Sequence, residues 1–289
     1  MKRDREIGGL DHFLSSVGWD LWYEFGRVVE RTSDRLRKWW NEPYDAKAIL
    51  ILDGLSLREL PLLLKGAEEH GFDVHFSDAS ASELPGETSE FARALGFSFR
   101  SQLQNKGGRS DYFPDVRTES VDFPWSDCAR LVDASKNWIF WHHWPDDKIH
   151  ESSGAGHGLV DVTQDAEANF ESDDFWEFAG RLATGRRLVI TSDHGYAFTG
   201  HFSDSDSGVG GFLKEKFSSG RNSQDDKEIA PYAPPVALRM EGISGSRLMV
   251  LGRRKWKSQG GYPVLTHGGL SLLEVLSPFV ELSQSEAGK

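Results

Sequence analysis

Three aspartates and three histidines in this 289-residue chain stand where metal chemistry is feasible. The stretch Arg187-Leu188-Val189-Ile190-Thr191-Ser192-Asp193-His194-Gly195 runs from branched apolar residues straight into an Asp-His pair and a glycine. The apolar run predicts a central strand covered on both faces. An open parallel sheet binds its ligands just beyond the carboxyl ends of its strands, so Asp193 and His194 offer an oxygen ligand beside an imidazole at such an end. Taken alone, the pair is more often a loop hydrogen bond than a metal site.

Three further stretches repeat the theme. The strand pattern Ala48-Ile49-Leu50-Ile51-Leu52 closes on Asp53-Gly54, where the carboxylate could instead cap the next helix. Asp146 and His150 follow the strand-like Trp138-Ile139-Phe140-Trp141, and their four-residue step puts both side chains on one face of a helical turn. Asp147 is the alternative carboxylate, though the spacing favours Asp146. His267 precedes Gly268-Gly269. Singly, His150 reads as a surface residue and His267 as a core histidine bonded to backbone. Together, Asp53, Asp146, His150, Asp193, His194 and His267 match two closely spaced zinc ions, or zinc with another divalent metal. Cys128 is the only cysteine, which excludes an intrachain disulfide and a cysteine-rich zinc site.

The elements that must position these residues are legible in outline. Apolar residues at steps of three and four predict helices over 11–40, 55–70 and 170–183. Strands are expected at 48–53, 72–76, 131–132, 138–141 and 187–191, with a strand pair at 236–240 and 247–251 joined by a turn at 242–245. Residues 85–95 read as a turn entering a short helix, and 278–282 as a final strand. The less regular stretch 96–127 is expected to form a cap excursion over the sheet, and the Gly-, Ser- and Asp-rich stretch 199–228 a long mobile loop. The domain reading is an N-terminal helical segment, 1–45, before a catalytic domain, 46–289.

Charge and composition narrow the function. Apolar residues at 38% and charged residues at 27% describe an ordinary globule. A net charge of -12 argues against a broad nucleic-acid-binding face. It leaves open an anionic substrate held by metal ions, the largest local charges in such a site. The first residues show no signal-peptide pattern, and no apolar run is long enough for a membrane span. A cytoplasmic location is the expectation.

The chain resembles the PglZ domain, a branch of the alkaline phosphatase superfamily. The matching residues are Ile51-Leu52-Asp53-Gly54-Leu55, Leu84-Pro85-Gly86-Glu87-Thr88, the run from Pro145-Asp146 to His150, Ser192-Asp193-His194-Gly195, and His267-Gly268-Gly269-Leu270-Ser271 with Glu274 and Pro278 beyond. The resemblance covers most of the chain, and Asp-His-Gly is shared across the wider superfamily. It implies a doubly wound α/β/α sandwich and two metal sites, one from Asp53, Asp193 and His194, the other from Asp146, His150 and His267. It also implies a Ser or Thr nucleophile a few tens of residues after the first Asp, which is Thr88 here. Ser56 is the rival, more readily a cap for the helix that follows. Gly86 departs from the pattern, where a small hydroxyl residue is common.

The resulting expectation is a zinc-dependent phosphoesterase, with a nucleotide-like phosphodiester as the favoured substrate and a phosphorylated Thr88 as intermediate. The resemblance also implies a bacterial phage-defence or signalling setting, with protein partners of such a system. The competing reading is a binding or scaffold subunit that keeps the fold without catalysis. The near-complete ligand set argues against it. A sulfatase or phosphomutase of the same superfamily fits less well, because Cys128 is badly placed and 96–127 is short for an inserted domain.

Overall fold

The computed structural model describes residues 2–152, 158–224 and 232–285. A six-stranded mixed sheet forms its centre. Five of its strands, in chain order, are β1 (Lys47–Leu52), β2 (Phe72–Ala81), β3 (Val116–Val121), β4 (Asn137–His142) and β5 (Arg187–Thr191). The sixth is the C-terminal strand Leu276–Gln284, and the order across the sheet is β2, C-terminal strand, β5, β1, β4, β3. β5, β1, β4 and β3 run parallel, while the C-terminal strand lies antiparallel between β2 and β5. Leu50 pairs with both Phe140 and Ile190, so the apolar runs of three strands stand in register.

Side chains alternate between two cores because successive strand residues face opposite ways. Ala48, Leu50, Leu52, Trp138, Phe140, Leu188 and Ile190 pack on one face against helices α4 (Leu60–Glu69), α6 (Trp125–Leu131), α8 (Leu159–Phe170) and α9 (Asp173–Ala183). Ile49, Ile51, Ile139, Trp141 and Val189 pack on the other against α3 (Thr32–Trp40) and α5 (Thr88–Ala94). Helices therefore cover both faces, and the α/β/α sandwich expected from the sequence is what the chain forms. β1 is buried at every residue, as a central parallel strand must be.

Several expectations change in detail. Residues 11–40 fall within three helices, α1 (Lys2–Ser16), α2 (Leu21–Val28) and α3, broken near Gly18 and Val29. Leu131 and Val132 are not a strand: Leu131 ends α6 and Val132 is its C-cap. The strand lies instead at β3, inside the stretch read as a cap, and closes one edge of the sheet beside β4. Its central Thr118, Glu119 and Ser120 are buried yet polar, which hides it from a search for apolar runs. The stretch 199–228 is not a uniform loop either. Helix α10 (Ser207–Phe217) occupies its middle, capped by the Asp206 carboxylate on two backbone N–H groups. Residues 225–228 lie outside the described residues. The hairpin Ala237–Gly242 and Gly245–Val250 forms as expected. No helix is long and apolar enough to cross a membrane, among the described residues.

Candidate metal centre

The sheet lays the ends of β4, β1 and β5 side by side, and backbone hydrogen bonds lace those ends together. The Asp53 N–H donates to the His142 carbonyl at 3.0 Å, and the Asp146 N–H to the Asp53 carbonyl at 2.9 Å. The Gly54 N–H donates to the Asp193 carboxylate at 2.9 Å. Gly54 has φ +75°, a conformation that favours glycine, and an added Cβ would stand a tight 3.3 Å from Asp146 Cβ. Asp146 opens the short helix α7 (Asp146–Glu151), which carries His150 four residues on.

His267 arrives from far along the chain. Leu265 and Thr266 pair antiparallel with Phe198 and Ala197, the strand immediately after Asp193-His194-Gly195-Tyr196. That pairing stacks the His267 ring on His194, with centroids 4.2 Å apart.

Two groups of three result, each with its ligand atoms within 4.8 Å of one another: Asp53, Asp193 and His194, and Asp146, His150 and His267. In the first, His194 Nε2 lies 3.7 Å from Asp53 Oδ1 and 3.6 Å from Asp193 Oδ2. In the second, Asp146 Oδ2 is 3.3 Å from His150 Nε2, and Asp146 Oδ1 is 4.0 Å from His267 Nε2. His194 Nδ1 faces the Gly195 carbonyl and His267 Nδ1 the Gly86 carbonyl, both at 3.1 Å. A ring nitrogen against a carbonyl must carry the proton, which leaves the Nε2 lone pairs aimed into the carboxylates.

Asp146 rather than Asp147 belongs here, since Asp147 is exposed and lies 3.9 Å from His143. His143, Asp147 and Asp122 make a third, more exposed group. The bland alternatives hold in part, since His267 does bond the Gly86 backbone carbonyl and His150 is exposed. The Asp53 carboxylate caps no helix, and His150 engages Asp146 instead of standing free.

Among the buried side-chain atoms of the described residues that have no hydrogen-bond partner, three belong to these two groups: Asp146 Oδ1, Asp193 Oδ2 and His194 Nε2. Leaving a buried acceptor unpaired costs about 1–3 kcal/mol, more when it is charged. Three such atoms converging from neighbouring strand ends fit cation ligation. Electrostatics agree. Burial, then the neighbouring charges of Asp193 and Asp146, push the Asp53 carboxyl well above the ordinary range. Burial also raises Asp146, but the His150 hydrogen bond and the histidines around it outweigh that and leave it below the usual value. Burial and the neighbouring His194 lower His267, favouring the neutral imidazole that ligates.

Thr88 is the first residue of α5, and Glu87, not Thr88, takes the N-cap position. The Thr88 hydroxyl instead donates to Asp53 Oδ1 at 3.2 Å, bringing it to the first group. Ser56 stays apart: its oxygen accepts the Arg58 N–H at 3.3 Å in the turn before α4, and it is fully buried. Gly86 fits its place tightly, where a Cβ would meet the Glu274 carbonyl at 3.1 Å and His194 Cβ at 3.2 Å.

Sequence reasoning missed two contributors. Arg100, from the 3-10 segment Arg100–Lys106, pairs with Asp53 Oδ2. Trp141 Nε1 donates to the same oxygen at 3.0 Å. Oδ2 is thereby engaged from behind while Oδ1 faces Thr88 and His194. Three other cations, Lys106, Arg109 and Lys148, are engaged away from Asp53. Lys106 pairs with Asp133, Lys148 with Glu151, and Arg109 bonds the Lys106 and Gly108 carbonyls. No pattern around Arg100 marks it in the sequence, because its partner is 47 residues away.

No family model matches the chain, and no curated protein matches it by sequence. Solved structures do. The chain is similar to phosphonoacetate hydrolase from Sinorhizobium meliloti 1021 in complex with phosphonoformate, at 12% identity and a TM-score of 0.50, over 83% of this chain and 90% of that one. A murine ectonucleotide pyrophosphatase/phosphodiesterase 5 structure matches at 10% identity and a TM-score of 0.49, over 82% and 87%. The likeness fixes the fold. It is alkaline phosphatase-like.

Proposed function

We propose that the protein is a divalent-metal-dependent phosphoesterase of the PglZ type, with Thr88 as its nucleophile. The carrying observation is the convergence of Asp146 Oδ1, Asp193 Oδ2 and His194 Nε2, buried and unpartnered, beside a threonine hydroxyl. Asp53, Asp193 and His194 would hold one ion, and Asp146, His150 and His267 the other. Mixed imidazole and carboxylate donors suit zinc. When bound, such ions supply Lewis acidity that lowers a hydroxyl pKa and neutralises charge on phosphoryl oxygens.

The chain's own groups set the geometry. The hydrogen bond to Asp53 Oδ1 orients Thr88 Oγ1, and the Thr88 proton passes to solvent as the oxygen attacks phosphorus. The P–O bond to the leaving alcohol breaks, and that alkoxide takes a proton from water. Water then attacks the same phosphorus, releasing phosphate product and returning a proton to Thr88 Oγ1. Arg100 has one arm on Asp53 and is partly exposed, so its remaining N–H groups can meet a phosphoryl oxygen. Nucleotide-like phosphodiesters remain the favoured substrates, and a cytoplasmic role in bacterial defence or signalling, with protein partners from that system, is part of this reading.

Purified protein is expected to cleave a bis-aryl phosphate, lose that activity to a chelator and regain it with zinc. Thr88→Ala should lower turnover at least 10³-fold, an order-of-magnitude expectation for removing a nucleophile, while metal content stays at the wild-type level. Full activity in that variant would return the nucleophile assignment to Ser56. Fewer than one ion per chain after mild purification would favour the scaffold reading.

A further inference from the structure

Arg221 and Asn222 are adjacent residues that the chemistry above does not use. They sit at the end of the stretch read as a loop. Successive residues of an extended segment point opposite ways; here the Arg221 side chain reaches the loop after His267, and Asn222 lies between Gly268 of that loop and Glu87.

Arg221 is completely buried and makes a two-armed pair with Glu274, with Nε to Oε1 and NH2 to Oε2 both 2.8 Å. Its other donors go to the Gly252 and Arg254 carbonyls. Glu274 Oε1 also accepts the Gly269 N–H at 3.0 Å, and Oε2 the Ser271 hydroxyl at 2.6 Å. The guanidinium packs so closely on Gly269 that a Cβ there would meet Arg221 Nε at 2.6 Å. The loop immediately after His267 is thus clasped between Arg221 and Glu274. Asn222 Nδ2 donates to Glu87 Oε1 at 2.7 Å, one residue before Thr88. Both residues are themselves anchored, since Asn222 pairs with Met249 and the Arg221 carbonyl accepts the Val250 N–H.

We propose that Arg221 and Asn222 are positioning residues, a brace that holds the His267 loop and the start of the Thr88 helix at one fixed spacing. The inference rests on the two-ion reading given above. Arg221 acts on the ion held by Asp146, His150 and His267, through the placement of His267. Asn222 acts on phosphoryl transfer, through Glu87 and the placement of Thr88. Changes in outer partners of this kind typically cost about 10–100-fold in metal affinity or activity.

The test compares zinc-loaded wild type, Arg221→Lys, Asn222→Ala and His150→Ala in a titration with a chromophoric chelator, alongside steady-state kinetics. Wild type should release two ions in two steps. Arg221→Lys should shift one step 10–100-fold, the same step that His150→Ala shifts, and leave the other in place. Asn222 is half-buried and, among the described residues, its side chain makes the one bond to Glu87, so Asn222→Ala should fold. It should keep both release steps and lower kcat about tenfold with little change in KM. Wild type releasing two ions, with both brace variants matching it in release and kcat, overturns the brace alone. An Arg221→Lys variant that weakens both steps equally assigns Arg221 to general stability and overturns its positioning role. If Arg221→Lys does not fold, Asn222→Ala decides by its kcat. Fewer than two ions on wild type overturns the two-ion reading, and the brace with it.

Discussion

Asp53 concentrates the conflicts of the centre in one side chain. It is fully buried beside two other carboxylates, and Arg100 only partly offsets that crowding. A carboxyl raised in the folded state binds its proton more tightly there than in the unfolded chain. The folded state then gains relative to the unfolded state below the raised value, and that gain is lost as pH climbs from the ordinary value of 3.8 upward. Asp11, Glu59 and Glu83 are raised as well, all by burial first, and act in the same direction. In the metal-free protein these four carboxyls should therefore contribute a loss of stability as pH rises from about 4 into the neutral range, opposed there by the lowered His142, His143 and His267. Asp53→Asn should flatten part of that descent and stabilise the metal-free protein at pH 7 by about 0.5–2 kcal/mol, as relief of a strained functional site often does. Thermal melts of both metal-free proteins across pH measure this, and a difference that does not change with pH would contradict it.

At the scale of elements, the helices that back the sheet decide how firmly the strand ends are held. α4 approaches α8 and α9 through Gly66, where an added Cβ would meet the Phe170 carbonyl at 2.5 Å and Trp176 Nε1 at 2.9 Å. That carbonyl is already bonded by the Trp176 indole at 2.8 Å, so neither neighbour can simply move aside. Gly66→Ala improves helix propensity by about 1 kcal/mol, but forced overpacking costs about 1–3 kcal/mol. The overpacking should win. A net loss of up to about 2 kcal/mol in denaturant melts is expected from those two magnitudes, with metal stoichiometry unchanged because α4 makes no part of the centre. Some of these elements were legible in advance. The apolar runs at 48–52 and 188–190 became the centres of β1 and β5, because strands buried on both faces carry apolar residues on both. β3 was hidden because its Thr118 and Glu119 are used locally, holding the Gly108 and Asn105 N–H groups. α10 was hidden because three glycines obscure its apolar face.

For the whole molecule, the candidate centre couples folding to metal. Its candidate ligands come from the ends of two parallel strands, β1 and β5, from the short helix α7 and from the segment at His267, so no ligand set exists in the unfolded chain. Zinc at about 100 times its dissociation constant should raise stability by about 2.7 kcal/mol per ion of that affinity. A chain of this size should then melt about 5–10 °C higher, taking roughly 2–4 °C per kcal/mol. Melts at graded zinc concentrations test it, and a midpoint independent of zinc would count against any native ligand set.

The sequence alone determined the identities and order of the candidate ligands. Asp53 and Asp193-His194 follow apolar runs, Asp146 and His150 share a helical spacing, and these are local properties that short-range patterns carry. The same motifs carry the resemblance that implied the sandwich. Only the tertiary structure decided that Asp146 and not Asp147 faces His150 and His267, and that Thr88 touches Asp53 while Ser56 turns away. It alone brought Arg100 to Asp53, and joined Arg221 to Glu274 and Asn222 to Glu87. Apart from Asp146 with His150, those contacts span tens of residues to well over a hundred. Such contacts are made by the lateral order of strands and the packing of helices upon them, which no local pattern of residues encodes.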